Sequence, residues 1–259
     1  MITFRHILAA ALMLFAMPAF AGETLLYKDG DTTLEGYMVR PDGVTGNAPT
    51  ILVVHQWKGA GEYERSRADM LAAQGYNAFV IDMYGQGIRP QTPETAGAEA
   101  GKYKGDPVLA RQRLNAALDF IKTQKGVDTS KIAIIGYCFG GTMALELARS
   151  GAEILAAVSF HGGLGSKAPV SKPGVIKASI QIHHGAVDPH VPHEEVHGFT
   201  QEMAAAKADW ALTMYGDAVH AFTEKEAGND PSKGAAYNEK ADLRSWDATL
   251  DFLRAALKP

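Results

Sequence analysis

The sequence predicts an α/β fold: a mostly parallel central sheet with helices on both faces. Three observations lead there. Short β-branched runs recur along the chain, segments of helical spacing separate most of them, and a lone cysteine sits where one such run breaks into a helix. A sheet whose strands are each followed by a helix is covered on both sides, which is the setting of parallel pairing.

The strand-like runs are residues 33–39, 51–55, 77–81, 131–135, 154–160, 178–183 and 211–215. Helical spacing appears at 62–74, 109–125, 139–150 and 193–206. A terminal helix is expected from Leu243, Trp246, Leu250, Leu253 and Leu257, which form one apolar stripe at steps of three and four and should pack on the sheet. Residues 84–107, rich in Gly, Pro, Thr and Ala, lack clear periodicity and read as a surface excursion over the site. Residues 224–234 are polar and are expected to loop outward.

Residues 1–21 read as an export signal, with Arg5 and His6 ahead of an apolar run and Ala19-Phe20-Ala21 as the cleavage site. The run is too short to span a bilayer stably. The expectation is an exported protein, periplasmic or secreted, with residues 22–259 as a single domain and no membrane attachment after cleavage. The formal charge of −4 becomes one unit more negative when Arg5 is removed, and no Lys/Arg block occurs, so there is no electrostatic footprint for nucleic acid. One cysteine cannot form an internal disulfide, and in an oxidising compartment an odd thiol calls for a use or for burial.

That cysteine lies in Gly136-Tyr137-Cys138-Phe139-Gly140-Gly141, directly after the run 131–135. The pattern G-x-C-x-G between strand and helix is that of a nucleophile elbow with sulfur in place of a serine hydroxyl. Gly136 and Gly140 flank Cys138 where side chains would collide as the strand turns into the helix. A thiol nucleophile needs a base and a group that orients the base. Asp188 follows the run 178–183 and His220 follows the run 211–215, so both fall in loops at the carboxyl ends of strands, where open α/β sheets place their sites. Asp217, three residues before His220, is a rival orienter.

Together these residues resemble the dienelactone hydrolase family, members of which have the α/β-hydrolase fold. The elbow, Gly185-Ala186-Val187-Asp188, His220-Ala221-Phe222, Ile81-Asp82-Met83-Tyr84-Gly85 and His55-Gln56-Trp57-Lys58-Gly59 carry the resemblance. It implies hydrolysis of a small ester or lactone, carboxymethylenebutenolidase-like, through a Cys138-His220-Asp188 triad and a thioester, with no cofactor or metal. It implies an oxyanion hole from the Phe139 N–H and an N–H at Gln56 or Trp57. By the same resemblance Glu35 takes the place of a glutamate that holds and activates the resting nucleophile, although its strand context fits a water-facing side chain as well. Trp57, Tyr84 and Phe222 are candidate pocket walls or core residues, and Arg89 is a candidate substrate contact. Family members that act on dienelactone carboxylates carry an arginine four residues after the histidine, where this chain has Glu224; a carboxylate there repels an anion.

Two other readings compete. His193-Glu194-Glu195-Val196-His197 matches H-E-x-x-H, which on a helix suits a zinc metallopeptidase. The motif lacks a following H-x-x-G-x-x-H extension, and a solvated polar face on the outside of the sheet accounts for it. The last reading is a non-catalytic binding protein on a hydrolase scaffold.

Overall fold

The computed structural model describes residues 22–258. The export-signal expectation for residues 1–21 falls outside them. Eight strands form one sheet in the order β1-β2-β4-β3-β5-β6-β7-β8: β1 (Glu23–Asp29), β2 (Thr32–Val39), β3 (Ala48–Val54), β4 (Asn77–Ile81), β5 (Val127–Tyr137), β6 (Ala156–Phe160), β7 (Ser179–Gly185) and β8 (Trp210–Tyr215). Only β2 runs against its neighbours; every pairing from β4 to β8 is parallel. The helices are α1 (Glu62–Ala72), α2 (Pro93–Gly105), α3 (Pro107–Lys122), α4 (Phe139–Arg149), α5 (His193–Ala206) and α6 (Glu239–Ala256). Among the described residues no helix is long and apolar enough to cross a membrane.

The pleat sorts the central strands between two cores. Ile51, Val53, Ala78, Val80, Ala133 and Ile135 face α1 and α6. Their neighbours Leu52, Val54, Phe79, Ile81, Ile132 and Ile134 face α2 to α5 on the other side. Both faces of β3, β4 and β5 are thus dry, which is why these runs are apolar without alternation.

The structure departs from the sequence reading in four places. First, an edge strand, β1, precedes the run at 33–39; its Leu26 is exposed while Tyr27 is buried, so its pattern is faint. Second, the segment after Tyr84 is not irregular throughout, because α2 occupies much of it. Thr92 caps that helix by accepting the Thr95 N–H, Pro93 takes the first turn, and Ala96, Ala100 and Tyr103 reach the core at steps of four and three. Third, residues 224–234 are mostly exposed, as expected, but they are not irregular throughout. Two short 3₁₀ turns, Lys225–Ala227 and Pro231–Lys233, fold the chain back so that Ala235 bridges to His220. Fourth, Leu243 is solvent-facing, so the buried stripe of α6 begins at Trp246.

Candidate active site

Cys138 sits between β5 and α4 with φ 53°, ψ −115°, a conformation that L-residues rarely adopt. The glycines around it are there for steric reasons. A Cβ on Gly136 would lie 2.0 Å from the Gly140 carbonyl oxygen, and one on Gly140 would lie 2.2 Å from that of Val54. The turn presses α4 against the ends of β3 and β5, and only bare backbone fits.

The thiol meets an imidazole. His220 Nε2 lies 3.0 Å from Cys138 Sγ, and His220 Nδ1 lies 2.8 Å from Asp188 Oδ2. Asp188 is buried, and its other oxygen accepts the His190 N–H at 2.8 Å. Burial opposes charge on both groups, but mutual attraction prevails. The Asp188 carboxyl is held below its ordinary range by His220 and the His190 N–H. His220 is raised to about 10, desolvation being outweighed by the Cys138 sulfur and the Asp188 carboxylate. Asp217 is exposed on the edge of the sheet, facing a separate surface hollow, and has no contact with His220.

A backbone donor stands across the cavity. His55 is fully buried, and burial pushes its pKa down to about 4, so the ring is neutral. Its Nε2 must accept, because it faces the Met83 N–H at 3.1 Å. The proton is therefore on Nδ1, which donates to the Gln56 carbonyl. Gly59 N–H donates to the same oxygen. In a trans peptide the next N–H, that of Trp57, points the opposite way. The Gln56 N–H is already given to Glu64, at 3.2 Å, whereas the N–H groups of Trp57 and Phe139 have no protein acceptor among the described residues. Trp57 and not Gln56 is the free donor of this loop, and the Tyr84 hydroxyl fixes it further by donating to the Trp57 carbonyl.

These groups line a cavity of about 910 Å³. Its walls include Gln56, Trp57, Cys138, Phe139, His220 and Glu224, with one side formed by α2. Glu224 is half-buried, and its carboxyl is raised to about 7 by burial and by the nearby Glu64 charge, partly offset by a hydrogen bond from the Gln56 amide.

Four candidates fall elsewhere. Glu35 lies on β2, separated from β5 by β4 and β3, a lateral step of roughly 14 Å. Its carboxylate stands 3.8 Å from Arg89 and has no contact with Cys138. Arg89 donates to the Ala60 and Ile88 carbonyls and crosses under Gly59, so it braces the loop and does not enter the cavity. Phe222 is fully buried against His161 and Tyr215 as a core residue. Tyr84 is buried behind the wall, packed on Phe139, Tyr103 and His55. In the H-E-x-x-H segment, Glu195 accepts the Leu164 and Gly165 N–H groups and the nearby Glu202 pairs with Arg149, so these carboxylates are spent on holding loops and α4.

His161 was not singled out in the sequence. It directly follows β6 with φ 41° and is fully buried, its ring 5.3 Å from that of His220 and tilted by 65°. A chain of hydrogen bonds ties it to Arg67. Arg67 Nε donates to the Tyr63 hydroxyl, which lies 2.7 Å from Thr223 Oγ1, and Thr223 Oγ1 lies 2.8 Å from His161 Nε2. His161 Nδ1 has no partner among the described residues. The only sequence signal was a histidine at the carboxyl end of a buried strand.

The family model described as the dienelactone hydrolase family matches residues 34–257. A Yersinia pestis protein carrying the provisional name carboxymethylenebutenolidase is 31% identical, over 89% of this chain and 86% of its own. The crystal structure of a dienelactone hydrolase-like promiscuous phosphotriesterase, P91, from metagenomic libraries is 35% identical with a TM-score of 0.85, covering 92% of this chain and 99% of that one. A structure titled m3DLH is 34% identical with a TM-score of 0.88, covering 93% of this chain and all of its own.

Proposed function

The chain belongs to the dienelactone hydrolase family, and from that premise we propose that it hydrolyses a small ester or lactone through a thioester on Cys138. The observation that carries this is the unbroken relay of Cys138 Sγ, His220 and Asp188, at 3.0 and 2.8 Å, on one side of a cavity. The thiolate attacks the carbonyl carbon, and negative charge moves to the carbonyl oxygen, where the Phe139 and Trp57 N–H groups receive it. The tetrahedral species collapses with cleavage of the C–O bond, and His220 gives its proton to the departing alkoxide. Water then loses a proton to His220 and adds to the thioester; C–S cleavage releases the acid and restores the thiolate and imidazolium. Asp188 keeps His220 in the required tautomer and supports its positive charge.

Glu35 is left without a part in this scheme. Export through residues 1–21 belongs to the same proposal, and amino-terminal sequencing of protein from the periplasm or medium tests it: a start at Gly22 supports it, and retention of Met1 overturns it. The catalytic reading is tested by stoichiometric alkylation of the single thiol, with turnover followed on aryl esters, lactones and, given the phosphotriesterase neighbour, one phosphotriester. Loss of all activity in step with thiol modification is expected; full activity in the alkylated protein would overturn it.

A further inference from the structure

A buried carboxylate that the relay does not use lies behind the cavity wall. Glu64, in the first turn of α1, is 2% exposed, and it is not among the residues that line the cavity. It forms no ion pair among the described residues; Arg89, whose charge it feels, stands against Glu35 and Asp82 instead. Taking a carboxylate out of water without a paired cation is costly. Burial pushes its pKa up, and the N–H groups of Gly61 and Gln56 pull it back. Those two N–H groups, both from one loop, are what the side chain holds.

The loop from Gln56 to Gly61 joins β3 to α1. Its carbonyls are held from several directions: that of Gln56 by His55 Nδ1 and the Gly59 N–H, that of Trp57 by the Tyr84 hydroxyl, and that of Ala60 by Arg89. Its N–H groups have one side-chain acceptor among the described residues. Glu64 Oε2 accepts from Gly61 at 2.8 Å, and Glu64 Oε1 accepts from Gln56 at 3.2 Å. The first contact is that of a capping box, in which a glutamate of the first turn reaches back to the residue that caps the helix. The second is no part of a cap. It carries the same carboxylate back to the start of the loop, so both loop ends are pinned to one group at the head of α1. The pinned Gln56 N–H and the free Trp57 N–H belong to consecutive peptide planes, and each plane is rigid. With the first plane fixed by Glu64 and the carbonyl of the second by His55 and Gly59, the Trp57 N–H is turned toward the cavity that Trp57 and Cys138 line.

We infer that Glu64 is a positioning residue for the oxyanion hole: by holding the Gln56 and Gly61 N–H groups it aims the Trp57 N–H at the carbonyl oxygen that gains charge when Cys138 attacks. The inference rests on the hydrolytic reading above and traces part of its transition-state stabilisation to a side chain that never meets the substrate. A carboxylate accepts at both oxygens, whereas a glutamine amide offers one acceptor and turns its own N–H groups toward the other donor. Glu64→Gln therefore keeps the shape and frees one end of the loop. A misaimed donor weakens the transition state more than the bound ester, because the charge it meets develops only during attack.

The test separates attack on a carbonyl from an attack that makes no oxyanion. Methyl methanethiosulfonate supplies the second: the Cys138 thiolate forms an S–S bond with its methylthio sulfur and methanesulfinate leaves, so the rate reports the thiolate and not the hole. That rate and the turnover of the best of a set of p-nitrophenyl esters are compared on the unmodified protein, Glu64→Gln and Glu64→Asp. Aspartate keeps the charge and is too short to reach both donors. Glu62→Gln, which removes an exposed charge from the same helical turn, is the control. Both Glu64 variants should lose roughly tenfold in kcat with KM little changed, while thiolation stays within about twofold of the parent. A trifluoromethyl ketone, which adds Cys138 to its carbonyl as an anionic hemithioketal, should bind more weakly by a similar factor, and E62Q should match the parent throughout. Rates are taken per equivalent of fast-reacting thiol, so a variant that folds poorly is judged on its folded fraction. If Glu64 only caps α1, the variants melt earlier but keep the parental kcat and ketone affinity. That outcome, or an equal fall in turnover and thiolation, overturns the inference and leaves the hydrolytic reading standing. An unmodified protein that is thiolated but turns over no ester or lactone sinks that reading, and this inference with it.

Discussion

His161 and His220 stand edge to face, ring centroids 5.3 Å apart, with their proton affinities driven in opposite directions. Burial holds His161 far below the ordinary imidazole range, with the His220 charge acting in the same direction, while His220 is raised to about 10. The neutral ring anchors the loop of the charged one, because Thr223, three residues after His220, is tied to His161 Nε2. His161→Phe is therefore expected to lower kcat by about tenfold with little change in KM, and Thr223→Val to do the same. The double variant should cost less than the two single effects combined, a shortfall of about 1 kcal/mol in a double-mutant cycle. Full additivity would show that the two side chains act separately.

Cys138→Ala should abolish turnover while unfolding as the parent does, since it removes one small, partly exposed side chain. Cys138→Ser should also lose most activity, because a hydroxyl is a far weaker resting nucleophile than a thiol. Near-parental rates in purified C138A would refute the thioester route.

The pH profile of kcat/KM should fall on the alkaline side as His220 passes about 10 and can no longer protonate the leaving group. Because the folded value of His220 lies above its ordinary 6.5, its linked stability is full below about 6.5 and is lost as pH rises through about 10. Asp188→Asn removes one cause of the raised value. Its alkaline limb should move to lower pH, with kcat severely reduced and the melting temperature little changed at pH 7. An unmoved limb would assign the orientation of His220 to another group.

Glu224 has the reverse linkage. Its carboxyl is raised from 4.5 to about 7, so the folded state loses stability as pH climbs between those values. Glu224→Gln should match the parent's melting temperature at pH 4 and exceed it at pH 8 by on the order of 2–4 °C. Glu224→Arg should raise kcat/KM for a dienelactone carboxylate more than for a neutral ester of similar size, by roughly 5- to 150-fold if the new contact is worth about 1–3 kcal/mol. Equal changes on both substrates would mean that selectivity is set elsewhere.

Gly140→Ala should be far more damaging than an ordinary glycine replacement in a helix. The new methyl would lie 2.2 Å from the Val54 oxygen and 2.7 Å from that of His55, and both are backbone atoms of the β3 end that cannot step aside. A loss of more than about 3 kcal/mol in urea unfolding is expected.

The relay residues were legible in the sequence because each sits where a strand ends, and the doubly buried strands announce themselves by unbroken apolar runs. Glu35 was misassigned because its segment matched by local similarity alone, while the strand order that sets it three positions from β5 is a property of the whole sheet. α2 was hidden by Gly97 and Gly101, which depress helical propensity on its exposed face; the capping pattern Thr92-Pro93-Glu94-Thr95 was its one strong signal. His161, Glu64 and the His55 tautomer could not be read, since each acts through partners from distant parts of the chain: Thr223, the Gln56 N–H and the Met83 N–H.

The cavity draws its parts from two sources of unequal rigidity. Cys138, Asp188 and His220 leave the ends of β5, β7 and β8, whereas α2 and the turn at Lys225–Ala227 are additions laid over that edge and belong to no strand pairing. Substitutions in the overlying pieces can reshape the space above the thiol without disturbing the relay below. An enzyme built this way can change diet by exchanging its canopy, and laboratory evolution for new esters should accumulate its first changes at Gly97, Gly101, Glu226 and Ala227.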